Sequence, residues 1–261
     1  MVLYEFHRGT TPLLVSMPHS GTELPDDLFR RFTPSAKKLP DTDWHIPRLY
    51  DFALSLGASV LKAHYSRYVV DLNRPPDNQA LYPGQATTEL CPKTLFNGDA
   101  LYQDPEPLGE VEIDDRRERY WRPYHEKLAM ELDRIQQEFG HALLYDAHSI
   151  ASQVPNLFDG RLPDLNLGTA YGQSCAATVE DRIAEVIYSS KFSYAVNGRF
   201  VGGYITRYYG RPSAQIHAVQ MEIAQSSYMD EVDGFPYRPD KAETLKPVLQ
   251  RVLSEYLESL D

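Results

Sequence analysis

The stretch LLYDAHSI, residues 143–150, decides how the chain is read. Apolar and aromatic residues at 143–145 run straight into Asp146, Ala147, His148 and Ser149. Acid, imidazole and hydroxyl groups are costly to bury without partners. Either the strand surfaces at that point or it delivers His148 to a reaction. The run starts just after Gly140, a residue suited to closing a helix, so ALLYDA (142–147) reads as a short strand that follows a helix.

The same alternation recurs on both sides of it. PLLVSM (12–17), SVLKAHYS (59–66), YVVDLN (68–73) and QIHAVQMEI (215–223) read as further strands, the middle two close enough to form a hairpin. Helical patterns cover DTDWHIPRLYDFALSLG (41–57), residues 112–139, CAATVEDRIAEVIYSS (175–190) and DKAETLKPVLQRVLSEYLESL (240–260), the last bent or started by Pro247. Strands alternating with helices predict an α/β layered sandwich, and the hairpin predicts a mixed sheet. No repeat or flexible linker divides the chain, so residues 1–261 are expected to form a single domain. The Pro- and Gly-rich segment 75–107 is long for a connection and reads as a binding loop.

Composition narrows the function classes. With 37 acidic against 26 basic residues the formal net charge is −11, which leaves no basic field for nucleic acid. A few arginines gathered locally remain compatible with an anionic small molecule. Cys91 and Cys175 fit no metal-binding spacing and suit a reduced protein. No segment approaches the roughly 18 apolar residues of a membrane span, and no secretion signal is legible, so a cytoplasmic location is expected. No G-x-S-x-G elbow surrounds Ser149, and GRFVGGYITRYYG lacks both dinucleotide-binding and P-loop spacing.

Ligands of open α/β sheets sit beyond the carboxyl ends of the strands. Three such ends carry His19, His148 and Glu222. Two neutral imidazoles and a carboxylate oxygen suit Zn²⁺, and a catalytic zinc lowers the pKa of its water to about 7. A further carboxylate can take the proton of that water and pass it to a leaving amine. Each residue also has a plain structural alternative. His19 follows Pro18 and can decorate a turn, and His148 with Ser149 can cap the next segment. Glu222 can pair with an arginine, and Asp43 suits the first turn of a helix through the dipole. Glu23, four residues after His19, competes with Asp43 as a third ligand.

Eight blocks then become recognisable together: MPHSGTELP, DTDWHIPRLYD, YSRYVVDLNR, YWRPYHEKL, DAHSI, LPDLNLGT, GGYITRYYG and QMEIAQSSYMDE, running from residue 17 to about 231. In that order they resemble the N-formylglutamate amidohydrolase (N-formylglutamate deformylase) family of histidine degradation. The likeness departs at Val201, where a lysine is common before the glycine pair. It implies a zinc-carboxypeptidase-like, three-layer α/β/α fold and a metal-dependent amidase that releases formate and L-glutamate from N-formyl-L-glutamate.

It implies in turn that His19, Asp43 and His148 hold zinc, with Asp43 preferred to Glu23, and that Glu222 is the general base. Other divalent transition metals also accept such ligands. Asp146 is expected to orient His148. The dicarboxylate substrate needs local cations, for which Arg67, Arg74 and Arg207 are the candidates, since guanidinium can bind a carboxylate with two hydrogen bonds. Asn73 can add an amide contact, and Gly202 and Gly203 can admit the ligand to the backbone. A zinc amidase for another N-acyl amino acid, and a non-catalytic dicarboxylate-binding protein, are the competing expectations.

Overall fold

The computed structural model of the protein describes residues 2–79, 88–104 and 108–260. Its elements in chain order are β1 (Tyr4–His7), β2 (Leu13–Met17), α1 (Asp26–Arg31), α2 (Ile46–Leu49), β3 (Ser59–Ala63), α3 (Glu110–Arg116), α4 (Arg122–Phe139), β4 (Ala142–Ile150), β5 (Leu165–Gly168), α5 (Ala177–Tyr188), β6 (Tyr194–Val196), α6 (Tyr204–Tyr209), β7 (Ile216–Ala224) and α7 (Pro239–Leu257). The strands form one seven-stranded sheet in the order β1-β3-β2-β4-β7-β5-β6. Pairs β2–β3, β2–β4, β4–β7 and β5–β6 are parallel, whereas β1–β3 and β5–β7 are antiparallel. The sheet is mixed, as expected.

The antiparallel partner is not the expected one. Residues 68–73 make no strand, and β3 pairs instead with β1 on one side and β2 on the other. After Ser66 the chain turns, with Val69 N–H donating to the Ser66 carbonyl. From Tyr68 to Asn73 every residue is buried, so neither face is spared for solvent as a hairpin edge would require. The segment 75–107 falls partly outside the described residues, at 80–87 and 105–107.

Side-chain parity divides the core. Leu14, Leu61, Leu144 and Ala218 join Tyr124, Leu128 and Leu132 of α4 in one cluster. Val15, Leu143, Tyr145 and Met221 join Ile183 of α5 and Leu245 and Leu249 of α7 in another. Helices therefore cover both faces of the sheet, and burial of each such aliphatic side chain contributes roughly 1.5–3 kcal/mol.

Local chemistry accounts for the helix ends. The 41–57 pattern yields only α2 and a 3₁₀ turn over Asp51–Leu56, closed by Gly57 at φ 70°. The 112–139 pattern is helical throughout but holds a π turn at Arg117–Trp121. The Arg122 N–H reaches back to the Arg117 carbonyl, and Pro123, the next residue, has no N–H to continue the regular ladder. Helix α7 starts at Pro239 and passes through Pro247 without ending. No described helix is long and apolar enough to cross a membrane.

Candidate metal and substrate site

Along β4 the even-numbered residues read Ala142, Leu144, Asp146, His148 and Ile150, and along β7 they read Ile216, Ala218, Gln220, Glu222 and Ala224. The two strands lie in register, His148 opposite Glu222. Apolar at their starts and polar beyond, until Ile150 and Ala224 close them, both strands project these residues on one face, the α4 face over its first half. The stretch at 143–150 ends in polar groups because that half of one face builds a site, while Leu143, Tyr145 and Ala147 stay in the opposite core.

The two histidines and Asp43 meet there. One donor atom from each of His19, Asp43 and His148 lies within 4.8 Å of the others, and all three residues are buried. His19 follows β2, and its carbonyl accepts from the Asp43 N–H at 3.0 Å, which brings the two residues together. Asp43 stands ahead of α2 rather than within its first turn, so the helix dipole does not explain it. His148 Nδ1 is 3.0 Å and His19 Nδ1 3.9 Å from Asp43 Oδ2. Among the described residues Asp43 Oδ1 is buried without a hydrogen-bond donor. The exposed Glu23, by contrast, sits in a bridge with Tyr65, away from the cluster.

Each imidazole is held from behind through its Nε2. That of His19 lies 2.7 Å from Asp71 Oδ1, and that of His148 lies 2.9 Å from Asp146 Oδ2. Asp71 also accepts from Arg67 at 2.7 Å and from the Asn73 N–H at 2.9 Å. Burial opposes the Asp71 anion, yet His19, Arg67 and Arg74 hold its carboxyl well below the usual range. Burial and the Arg67 charge lower the pKa of His19, leaving it a neutral imidazole. Burial also opposes a charged His148, but Asp146 and Asp43 hold its pKa well above the ordinary value. Glu222 is pushed up to about 8 by burial, with the Asp43 charge adding to the shift and His148 and Arg67 opposing it.

A cavity opens over these groups. Its walls include His19, His148, Gln220 and Glu222, together with Arg67, Asn73, Arg74 and Gly203. Asn73 Nδ2 donates to Asp146 at 3.1 Å, and Asn73 Oδ1 accepts from the Ile205 N–H at 2.8 Å. Its amide is thus built into the frame of the site. A Cβ on Gly203 would lie 2.3 Å from Asn73 Nδ2, so this position has no room for a side chain. Gly202 and Arg207 stand apart. Gly202 takes φ 111° and its carbonyl holds Arg207 Nε at 2.8 Å. Arg207 faces a different surface pocket beside Tyr171 and Gly210. In their place the cavity presents Arg199, Phe200, Leu157, Phe96 and Thr88, none of which is prominent in the sequence. Arg199 lies just ahead of the glycine pair, and Gln220 lies two residues before Glu222 on the same strand face. The sequence reading passed over both, and those spacings are the signals that could have found them.

A family model described as N-formylglutamate amidohydrolase matches residues 11–229. The chain belongs to that family. It is 52% identical over 257 residues to the N-formylglutamate deformylase of Pseudomonas putida, covering 97% of this chain and 94% of the other. The N-formylglutamate deformylase of Pseudomonas aeruginosa is 53% identical over 257 residues, with 97% and 95% covered. The fold is also similar to the crystal structure of N-formylglutamate amidohydrolase from Ralstonia eutropha JMP134, with a TM-score of 0.82 at 22% identity over 99% of this chain and 98% of that one. A gene product from Agrobacterium tumefaciens is similar at a TM-score of 0.74 and 15% identity, over 99% and 96%.

Proposed function

We propose that this amidohydrolase cleaves N-formyl-L-glutamate to formate and L-glutamate, in one catalytic domain of the zinc-carboxypeptidase-like kind, with a divalent metal held by His19, Asp43 and His148. The observation that carries the reading is the meeting of those three buried donors beside Glu222. The donor set suits the group: two imidazole nitrogens face a carboxylate that has a hydrogen-bond-free oxygen, and each ring is braced from behind by an acid. Zinc bound there supplies a Lewis acid and makes water ionise near neutral pH.

The remaining work falls to the protein's own residues. Glu222, its proton affinity raised by burial, takes a proton from the water that adds to the formyl carbon. Arg67, fixed by Asp71, offers N–H groups to the charge that develops on the formyl oxygen. Glu222 then gives its proton to the departing nitrogen as the C–N bond breaks, and formate and L-glutamate leave. Arg74 belongs with the α-carboxylate, the carboxylate nearest the scissile bond. In support, it lines the same cavity as His148, and its guanidinium donates to the Thr88 carbonyl at 3.0 Å and the Thr88 hydroxyl at 2.7 Å.

The test is formate release from N-formyl-L-glutamate before chelation, after chelation and after zinc is restored. Activity lost and then recovered is the expected result. Turnover that persists in protein shown to be metal-free would overturn the metal assignment, and no formate under any metal would overturn the substrate.

A further inference from the structure

We propose that Arg199 is the residue that selects glutamate, by binding the side-chain carboxylate of the substrate; the assignment rests on the deformylase reading above. The cavity has three arginines in its wall, Arg67, Arg74 and Arg199. A substrate with two carboxylates calls for two guanidinium groups. Arg67 is committed to Asp71 at 2.7 Å and lies 3.8 Å from Asp43, so its charge is largely matched by the protein. Arg74 lines the same cavity as His148, donates to Thr88, and takes the α-carboxylate in the deformylase reading.

Arg199 lines the cavity in company with apolar side chains. Its Nε donates to the Leu157 carbonyl at 2.7 Å, and its guanidinium lies 5.3 Å from the centre of the Phe200 ring. Leu157 and Phe200 line the cavity with it. This pairing matches a glutamate side chain, two methylenes against apolar groups and then a carboxylate against a cation.

The loop that carries Arg199 is pinned on both sides. Asn197 before it accepts from the backbone N–H of Thr169 at 2.9 Å and donates to the Thr169 hydroxyl at 2.8 Å. Val201 after it accepts from the Ala170 N–H at 2.6 Å. A guanidinium placed by a fixed loop loses little freedom on binding and discriminates by geometry.

The test compares N-formyl-L-glutamate with N-formyl-L-glutamine, which has the same length and shape without the charge. In Arg199→Met, kcat/KM for the glutamate compound should fall roughly 10²-fold, chiefly through KM. The glutamine compound should be turned over as by the wild type, so the preference between the two collapses. Arg199→Lys keeps the charge but loses the paired hydrogen bonds. It should show a smaller loss, again on the glutamate compound alone, and it carries the test if the Met variant does not fold. Equal losses on both compounds, or an unchanged preference, would overturn the assignment while the deformylase reading stands. A wild type that releases no formate from N-formyl-L-glutamate sinks both.

Discussion

The two faces of strands β4 and β7 are built from alternate residues of the same nine-residue stretches, yet they do different work. On the face toward α5 and α7 most residues are apolar, with Leu143, Tyr145, Val219, Met221 and Ile223 all at 0% exposure, and the exceptions are Ser149 and His217. On the face toward α4 the pattern gives way to Asp146 and His148 on β4 and to Gln220 and Glu222 on β7, before Ile150 and Ala224 close the strands. Both faces are fully buried in this half of the sheet. The difference lies in what compensates the burial. One face is offset chiefly by packing, and the other by polar partners, with one oxygen of Asp43 and one of Asp146 left without a donor among the described residues. A buried polar atom without a partner is costly, which suits a site that an ion or ligand completes.

Adjacent residues of β7 should break the comparison most sharply. Glu222→Gln should lower kcat by roughly 10²–10⁴-fold while the metal content, read by elemental analysis, stays at the wild-type level. Near-normal turnover would remove Glu222 from proton transfer. One residue earlier, Met221→Ala empties a fully buried position on the opposite face. It should cost about 2–5 kcal/mol in denaturant unfolding and leave kcat/KM per folded molecule unchanged. If Met221→Ala abolished turnover without loss of stability, the two faces would not be separable in this way.

A third change probes how the polar face is held. Asp71 touches no substrate in the proposed reaction, but it anchors His19, Arg67 and the Asn73 backbone at once. Asp71→Asn should weaken metal binding by roughly 10–100-fold, measured by competition with a chelator, with zinc-saturated enzyme regaining part of its rate. Unaltered metal affinity would mean that His19 is positioned by packing alone.

Much of this arrangement was legible in the sequence, and the gaps have identifiable causes. His19, His148 and Glu222 stood out because each ends an apolar run, a local signal. Spacing did not separate Asp43 from Glu23, and only the family likeness favoured Asp43, because its proximity to His19 comes from a backbone hydrogen bond. YVVDLN has strand-like residues, but its backbone N–H groups go elsewhere than to a ladder, that of Val69 to the Ser66 carbonyl, that of Asp71 to the Leu90 carbonyl and that of Asn73 to the Asp71 carboxylate. Strands β1, β5 and β6 span only three or four residues each, too short for a period-two pattern to register. Arg207 stood out for its nearness to the glycine pair; in the structure it lines a pocket beside Tyr171, whereas Arg199, on the other side of the pair, lines the cavity with His148 and Glu222.

The smallest expected effect concerns the π turn, which links the helical cover to the polar face. There Trp121 Nε1 donates to the Arg74 carbonyl at 2.9 Å, and one turn later His125, stacked on the Trp121 ring with centroids 3.7 Å apart, reaches the Leu72 carbonyl at 2.8 Å. The two rings thus grip the backbone on either side of Asn73. Burial lowers the pKa of His125 to about 3, so it stays neutral and its Nε2–H is available to Leu72. Trp121→Phe keeps an aromatic ring over His125 and removes the donor to Arg74 together with part of the indole's packing. Loss of one such hydrogen bond is worth about 0.5–1.5 kcal/mol. If the grip positions Arg74, the variant should show a several-fold rise in KM for N-formyl-L-glutamate at unchanged kcat, whereas a purely structural contact would lower the melting temperature and leave KM alone.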